Sequence, residues 1–293
     1  MNKYLIFRTD RIGDFLISAI LIKCIKKNDP NSKITLVGSK NNSSYIRYFD
    51  YVDEVIELEN NIFKKLRLIY KLRRYKFTNI IVHDNKKRSK FITFFLKSKN
   101  KIFLVNNQEK PHINIIQHIL KKMNFEYYQD SLDLFNYNKL NKPQNNELIQ
   151  LHFDEKWIND LYINKFTNIE PSERELIDLV KTIKQKTNKD LIITTGILLP
   201  KILNKIEPDL FKLNIRVYEK LDFLELEKIT SNSKILISCH GAISHVAAAY
   251  KIKQIDIIDR GYDYSKWTNH FRNYNSIYRE KFSELSKNII SKI

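Results

Sequence analysis

The stretch "KYLIFRTDRIGDFLISAILIKCIKKNDPNSKITLVGS" (residues 3–39) decides the fold. It opens with an apolar run, 3–8, too short for a stable helix and rich in residues that suit a strand. A polar loop follows. Residues 14–27 are apolar around most of a helical surface until the lysines of the last turn, where cations suit the negative helix end. A second apolar run closes the unit at 33–39. Near-continuous apolar strands alternating with helices belong to a parallel sheet covered on both faces.

The pattern continues outward, with strands at 52–58, 78–84 and 101–106 and helices at 62–75, 88–97 and 113–123. It breaks between 126 and 147, a polar stretch with Pro143 and an Asn-rich end, which predicts a domain boundary. A second alternating set has strands at 147–153, 190–196, 214–220, 234–240 and 253–259, and helices at 172–187, 222–231 and 243–251. The tail 277–293 reads as a last helix. The expectation is an α/β protein of two Rossmann-like domains, 1–145 and 146–275, facing across a cleft. A C-terminal helix, 276–293, would pack back on the first domain. In such sheets ligands sit at the carboxyl ends of the strands, so chemistry is sought in the loops that follow them.

Bulk properties agree. The chain has 293 residues, which suits two domains of about 130–150 each. Lys and Arg number 51 against 33 Asp and Glu, a net +18 that favours acidic partners such as phosphorylated ligands, anionic lipid or nucleic acid. The abundance of Lys, Asn and Ile throughout offers a bland source for the same charge, AT-rich coding. Cys24 and Cys239 each sit in an apolar run and read as buried thiols of a reducing compartment. With no apolar stretch of 18 residues and no signal-peptide pattern, the expected location is cytoplasmic.

The first loop, "TDRIGD" (9–14), puts Gly13 where the backbone turns into the helix and Asp14 in the first helical turn. Two readings of Asp14 stand open. A carboxylate there caps the helix and gains from its dipole. The same carboxylate, at the carboxyl edge of the sheet, can take a proton from a substrate, although a helix N-terminus lowers its basicity. One glycine in place of G-x-G-x-x-G argues against a dinucleotide fold, and the chain carries no P-loop pattern. Acidic and imidazole residues do not gather at metal-ligand spacing, so a metal-independent protein is expected.

Residues 3–38 resemble the opening of glycosyltransferase family 9, the ADP-heptose:lipopolysaccharide heptosyltransferases. Arg8, Asp10, Ile12, Gly13, Asp14, Pro30, Ser32, Ile34 and Leu36 carry the match, and "YVDEVIEL" (51–58) stands where that family has a "VDEVI" strand. The resemblance implies a GT-B fold and Asp14 as general base of an inverting sugar transfer. Arg8, Asp10, Arg11 and Gly13 would lie on the acceptor side. His83 and Asp84 end the fourth strand of the first half, where two readings stand open: aid to proton removal or contact with acceptor phosphate, and a buried structural role. A second segment, "SCHGAISHVAAAY" (238–250), resembles the family's donor motif D-S/T-G-x-x-H-x-A-A-A. Here Cys239 or His240 replaces the acidic residue, and the Gly-to-His spacing is one longer. The donor side so implied comprises Gly241, Ser244 and His245, with Lys156, Thr195, Gly196 and Glu219 from neighbouring loops. His240 and His245 have a bland alternative as a loop residue and a packed helix residue.

The implied co-substrate is a nucleotide-diphosphate sugar, ADP-linked in that family, with no further cofactor. The implied acceptor is a lipid-linked or lipopolysaccharide-core saccharide, and the basic, aromatic stretch 63–77 could rest on an anionic membrane. Two other readings stand beside this one. One is a non-catalytic saccharide- or nucleotide-binding homologue; the other is a basic nucleic-acid-binding protein. Against the latter, the positive charge is dispersed and forms no recognition module.

Overall fold

The computed structural model describes residues 1–104, 110–129, 147–159 and 166–293. The chain divides into two compact units, 1–136 with 265–270, and 137–264 with 271–293. The predicted boundary at 126–147 lies largely outside the described residues.

The first unit holds a parallel five-stranded sheet: β1 (Lys3–Phe7), β2 (Lys33–Gly38), β3 (Glu54–Glu57), β4 (Phe77–Val82) and β5 (Ser98–Phe103), in the order β3-β2-β1-β4-β5. Its helices are α1 (Ile12–Asn28), α2 (Ser43–Ile46), α3 (Ile62–Arg73), α4 (Lys87–Phe94) and α5 (His112–Lys122). Helix α1 is buried without a break from Phe15 to Ile25, as its all-round apolar surface requires. Lys23, buried within it, places its ammonium 5.5 Å from the ring centre of Tyr51. Leu68, Ile69 and Leu72 of α3 and Ile92 of α4 pack with Leu5, Phe7, Val37, Ile80 and Val82 of the sheet in one cluster.

The second unit carries a parallel six-stranded sheet: β6 (Leu148–His152), β7 (Leu191–Thr194), β8 (Arg216–Tyr218), β9 (Ser233–Cys239), β10 (Lys253–Ile258) and β11 (Tyr274–Tyr278), ordered β11-β10-β9-β6-β7-β8. Its helices are α6 (Glu173–Thr187), α7 (Lys201–Lys212), α8 (Phe223–Ser231), α9 (Ala242–Ala249) and α11 (Phe282–Lys292); α10 (Ser265–Thr268) belongs to the first unit. Ser172 and Glu175 close a capping box at α6, and Asp222 and Glu225 another at α8.

Several sequence expectations are corrected. The last strand of the first sheet begins at Ser98, not Lys101, because its register with β4 pairs Phe77 with Ser98 and extends into polar "SKNK". At a sheet edge such lysines discourage further pairing. Helix α7 is absent from the expected elements; Pro208 stands inside it, and Ile202, Leu203, Ile206 and Leu210 bury one helical face. Strand β11 was also missed. The C-terminal helix does not join the first unit: Phe282, Leu285 and Ile289 are part of the second unit's core, and residues 265–270 are the ones that return to the first. Leu285→Ala should therefore destabilise the second unit by about 2–5 kcal/mol in urea unfolding, the usual cost of a core leucine truncation.

Candidate functional site

At the carboxyl edge of the first sheet a buried guanidinium organises the loop. Arg8 donates from Nε to the Asp14 carbonyl at 2.9 Å, from Nη2 to Asp14 Oδ1 at 3.2 Å, and from Nη1 to the carbonyl of His83. It also lies 3.7 Å from Asp10 Oδ2, while Lys86 pairs with Asp10 Oδ1. Asp14 does cap α1, since its Oδ2 accepts from Arg11 N at 3.3 Å. Its side chain nonetheless stays one-third exposed, and it lines a cavity of about 690 Å³ with Thr9, Asp10, Arg11, Lys86 and Arg88. Burial raises the Asp10 pKa, against the opposing pull of Lys86 and Arg8. The cavity thus holds two carboxylates, Asp10 and Asp14.

Other expected residues of this edge are framework. Gly13 lies inside α1, and no described glycine has a positive φ, so the turn is made by extended backbone at Arg11. Asp84 is saturated: Oδ2 accepts from Thr9 N (3.2 Å), Thr9 Oγ1 (2.6 Å) and Ser89 Oγ (2.7 Å), and Oδ1 from Lys86 N (3.1 Å). It clamps the loop after β1 to the loop after β4. His83 is 1% exposed, with Nδ1 2.7 Å from Ser18 Oγ and Nε2 buried without a hydrogen bond. Burial, then Arg8, holds its pKa well below the ordinary imidazole value, so it is neutral and turned away from solvent. The sequence reading passed over Arg88, whose Nη2 donates to the Thr9 carbonyl at 2.8 Å. It also passed over His112 and His270, both pushed down to about 4 by burial.

In the second unit the loops after β6 and β9 meet. Asp154 caps the short turn 155–157 and binds Lys156 Nζ at 2.5 Å, while His152 Nε2 lies 3.5 Å from the same carboxylate. Burial alone would raise the Asp154 pKa, but the Lys156 ammonium and His152 hold it below the carboxylate range. Burial opposes the charge of Lys156 in turn, and Asp154 more than restores it. A Cβ on Gly241 would stand 2.8 Å from Lys156 Nζ, so glycine lets the start of α9 approach that cation. Cys239 is buried beside them, its thiol pushed up to about 12 by burial and then by Asp154.

Around α9 the expected residues divide. The Ser244 hydroxyl accepts from Gly241 N at 3.2 Å and donates to Asp256 Oδ1 at 2.8 Å, so it positions the turn from inside. The His245 ring is buried edge-on to Phe271, 5.2 Å between centres. Thr195 and Gly196 follow β7; Thr195 is buried, and a Cβ on Gly196 would press on the Glu155 carboxylate, which would have to shift. Glu219 sits exposed after the edge strand β8, three strands from β9, and does not join this cluster. The residue that sequence reading missed is Asp256, which binds His240 Nδ1 at 2.6 Å from the middle of β10. A carboxylate inside the apolar run "KQIDIID" was the available signal.

No family model matches the sequence, and no curated protein is similar to it at a significant level. Solved structures are similar over the whole chain. The E. coli heptosyltransferase WaaC, solved with ADP, has a TM-score of 0.75 at 11% identity, covering 99% of this chain and 100% of that one. The fold is that of the heptosyltransferases. E. coli ADP-heptose lps heptosyltransferase II gives 0.71 at 12% identity, covering 100% and 97%. A glycosyl transferase family 9 protein from Veillonella parvula gives 0.69 at 10%, covering 98% and 89%. The likeness read from residues 3–38 thus holds at the level of the heptosyltransferase fold, with its two Rossmann-like units.

The buried pair beneath Gly241 has a measurable consequence. Asp154→Asn should cost about 3–5 kcal/mol in urea unfolding at pH 7, because it strands the Lys156 ammonium. The folded-state pKa of Asp154 is depressed, so the pair's contribution is complete above the unfolded value of about 3.9 and fades as pH falls through the lower folded one. The gap between wild type and variant should therefore narrow in acid.

Proposed function

We propose that the protein is a metal-independent glycosyltransferase. It moves a sugar, a heptose or a relative, from a nucleotide-diphosphate donor to a lipid-linked or lipopolysaccharide-core saccharide, with inversion. One observation carries the reading: the start of α9 and the Lys156 ammonium converge at Gly241. A diphosphate placed there meets helix N–H groups and a fixed cation, which also stabilise the charge that grows on the leaving group. The neighbour WaaC, whose fold the chain shares, was solved with ADP. On the first unit, Asp14 lines a cavity that suits an acceptor saccharide, with Lys86, Arg88 and Arg11 beside it for acceptor phosphate. Asp14 takes the proton of the attacking hydroxyl, held toward the cavity by its hydrogen bonds with Arg8 and Arg11.

Asp10 shares the cavity and is held closer to neutral, which favours a second assignment of the base. Asp14→Asn should lower kcat by about 10²–10⁴ while nucleotide-diphosphate affinity is kept. Asp10→Asn should lower it less, and the reverse order would move the base to Asp10. Transfer should persist in EDTA, and a thermal-shift panel of nucleotide diphosphates and nucleotide sugars should show stabilisation by at least one.

The acceptor's lipid calls for a membrane-facing surface, and α3 and α4 supply one. They pack into the same core cluster, and their outer residues include Phe63 and Phe94, each 77% exposed, with Leu66, Tyr70 and Phe91. Neither 62–73 nor 87–103 contains an acidic residue, while Lys64, Lys65, Arg67, Lys71, Lys90 and Lys97 stand among the aromatics. Among the described residues no helix is long and apolar enough to cross a membrane, so the contact proposed is peripheral. Wild type should co-sediment with phosphatidylglycerol vesicles, less so in high salt, and Phe63→Ser with Phe94→Ser should weaken this about tenfold or more.

A further inference from the structure

We propose that His240 is a proton-dependent clamp on the donor's diphosphate, held in place by Asp256. This role rests on the donor site proposed above and gives it a specific residue and a pH dependence. The Asp256 side chain is fully buried. Its Oδ1 accepts from Ser244 Oγ at 2.8 Å, and its Oδ2 from Tyr274 Oη at 3.0 Å and from His240 Nδ1 at 2.6 Å. A carboxylate so placed fixes the imidazole tautomer: Nδ1 keeps its hydrogen, and any further proton goes to Nε2. That nitrogen has no hydrogen-bond partner among the described residues. The ring is bracketed by Tyr264, His245 and Phe271 at 4.9, 5.9 and 6.5 Å between centres, so it is held in one orientation. The side chain keeps 13% of its surface open.

The next residue is Gly241, where Lys156 comes close and α9 begins. The charged and titratable groups against the ring are Asp256 on β10, with Tyr274 of β11 bonded to the same carboxylate, Tyr264 in the loop after β10 and His245 on α9. Asp259 acts on Tyr264; Lys156 and Asp154 lie in the turn after β6, with Lys156 beside Gly241, and Arg279 Nη1 is 3.5 Å from Cys239 Sγ. A diphosphate brings two negative charges, so its binding beside the imidazole takes up a proton and a charge-assisted Nε2–H···O bond forms. Raising the pH removes the proton and weakens the complex.

The probes are ADP-ribose and UDP-glucose, whose diphosphate diesters do not themselves titrate near neutrality. Calorimetric binding to the full chain should weaken about tenfold between about pH 5.5 and 8.5, and measurements in buffers of different ionisation enthalpy should show proton uptake. His240→Gln should bind at the weak, high-pH level of wild type with no pH slope. Asp256→Asn should keep a slope displaced to lower pH. Thermal melts show whether the variants fold, and the Cε1 proton signal of His240 in wild type reports the same titration without any substitution. If the better-binding probe holds equally tightly to His240→Gln with the same slope, or if the His240 signal does not respond to it, the clamp is overturned and the donor site stands. If wild type binds neither probe at millimolar concentration, the donor site and the clamp fall together.

Discussion

A charge buried at the end of a parallel sheet must be answered within a few ångströms, because water cannot answer it. Both units are built around that demand. Arg8 leaves β1 under the loop it supports and is met by Asp14, Asp10 and the His83 carbonyl. Lys156 folds into the second unit and is met by Asp154. Asp256 stands in the middle of β10 and is met by Ser244, Tyr274 and His240. The Arg8 set joins the loops after β1 and β4, and the Asp256 set joins β10 and β11 to the turn after β9 and to α9. Compensating the charge and assembling the edge are one event.

Much of the architecture was legible because burial on both faces leaves a strong mark. The strand β1, the helix α1 and the strand β2 follow from unbroken apolar runs and a single polar loop. What escaped is what burial does not decide. Strand β5 is held by backbone pairing at an edge, so its polar half carries no signal. In α7 a proline, which local rules keep out of helix interiors, stands inside a helix that tertiary packing accepts. The candidate site was legible only as loop positions. Sequence places Asp14 and Gly241 after strands, where Asp14 lines a cavity and Gly241 meets Lys156, but Ser244, Asp84 and His83 look the same in sequence whether they touch a ligand or a neighbour. Only the partners of their oxygens and nitrogens separate the two.

The scarcity of glycine has its own structural consequence. The chain has 5 glycines, and none of those described adopts a positive φ. Left-handed positions fall instead to Asn85, Asn124, Asn188, Asn214 and Asn273, with Lys220 and Lys251. Asparagine tolerates that region because its short amide can bond locally. Asn188 serves in this way as the cap that ends α6. The glycines so spared mark close approach rather than turning: Gly196 against Glu155 and Gly241 against Lys156. In a chain rich in asparagine, a glycine after a strand is thus a sharper pointer to a crowded loop than it would be elsewhere.

The imidazoles of the two units show how neighbours decide what burial does. His83 and His112 are buried with Arg8 close by, and desolvation and the guanidinium act in the same direction, against a proton. Such rings serve as neutral packing and lose stability to acid, since protonation must work against the fold. His240 instead has a carboxylate 2.6 Å from Nδ1 and aromatic rings around it. That carboxylate partner sets the ring after β9 apart from the buried imidazoles of the first unit.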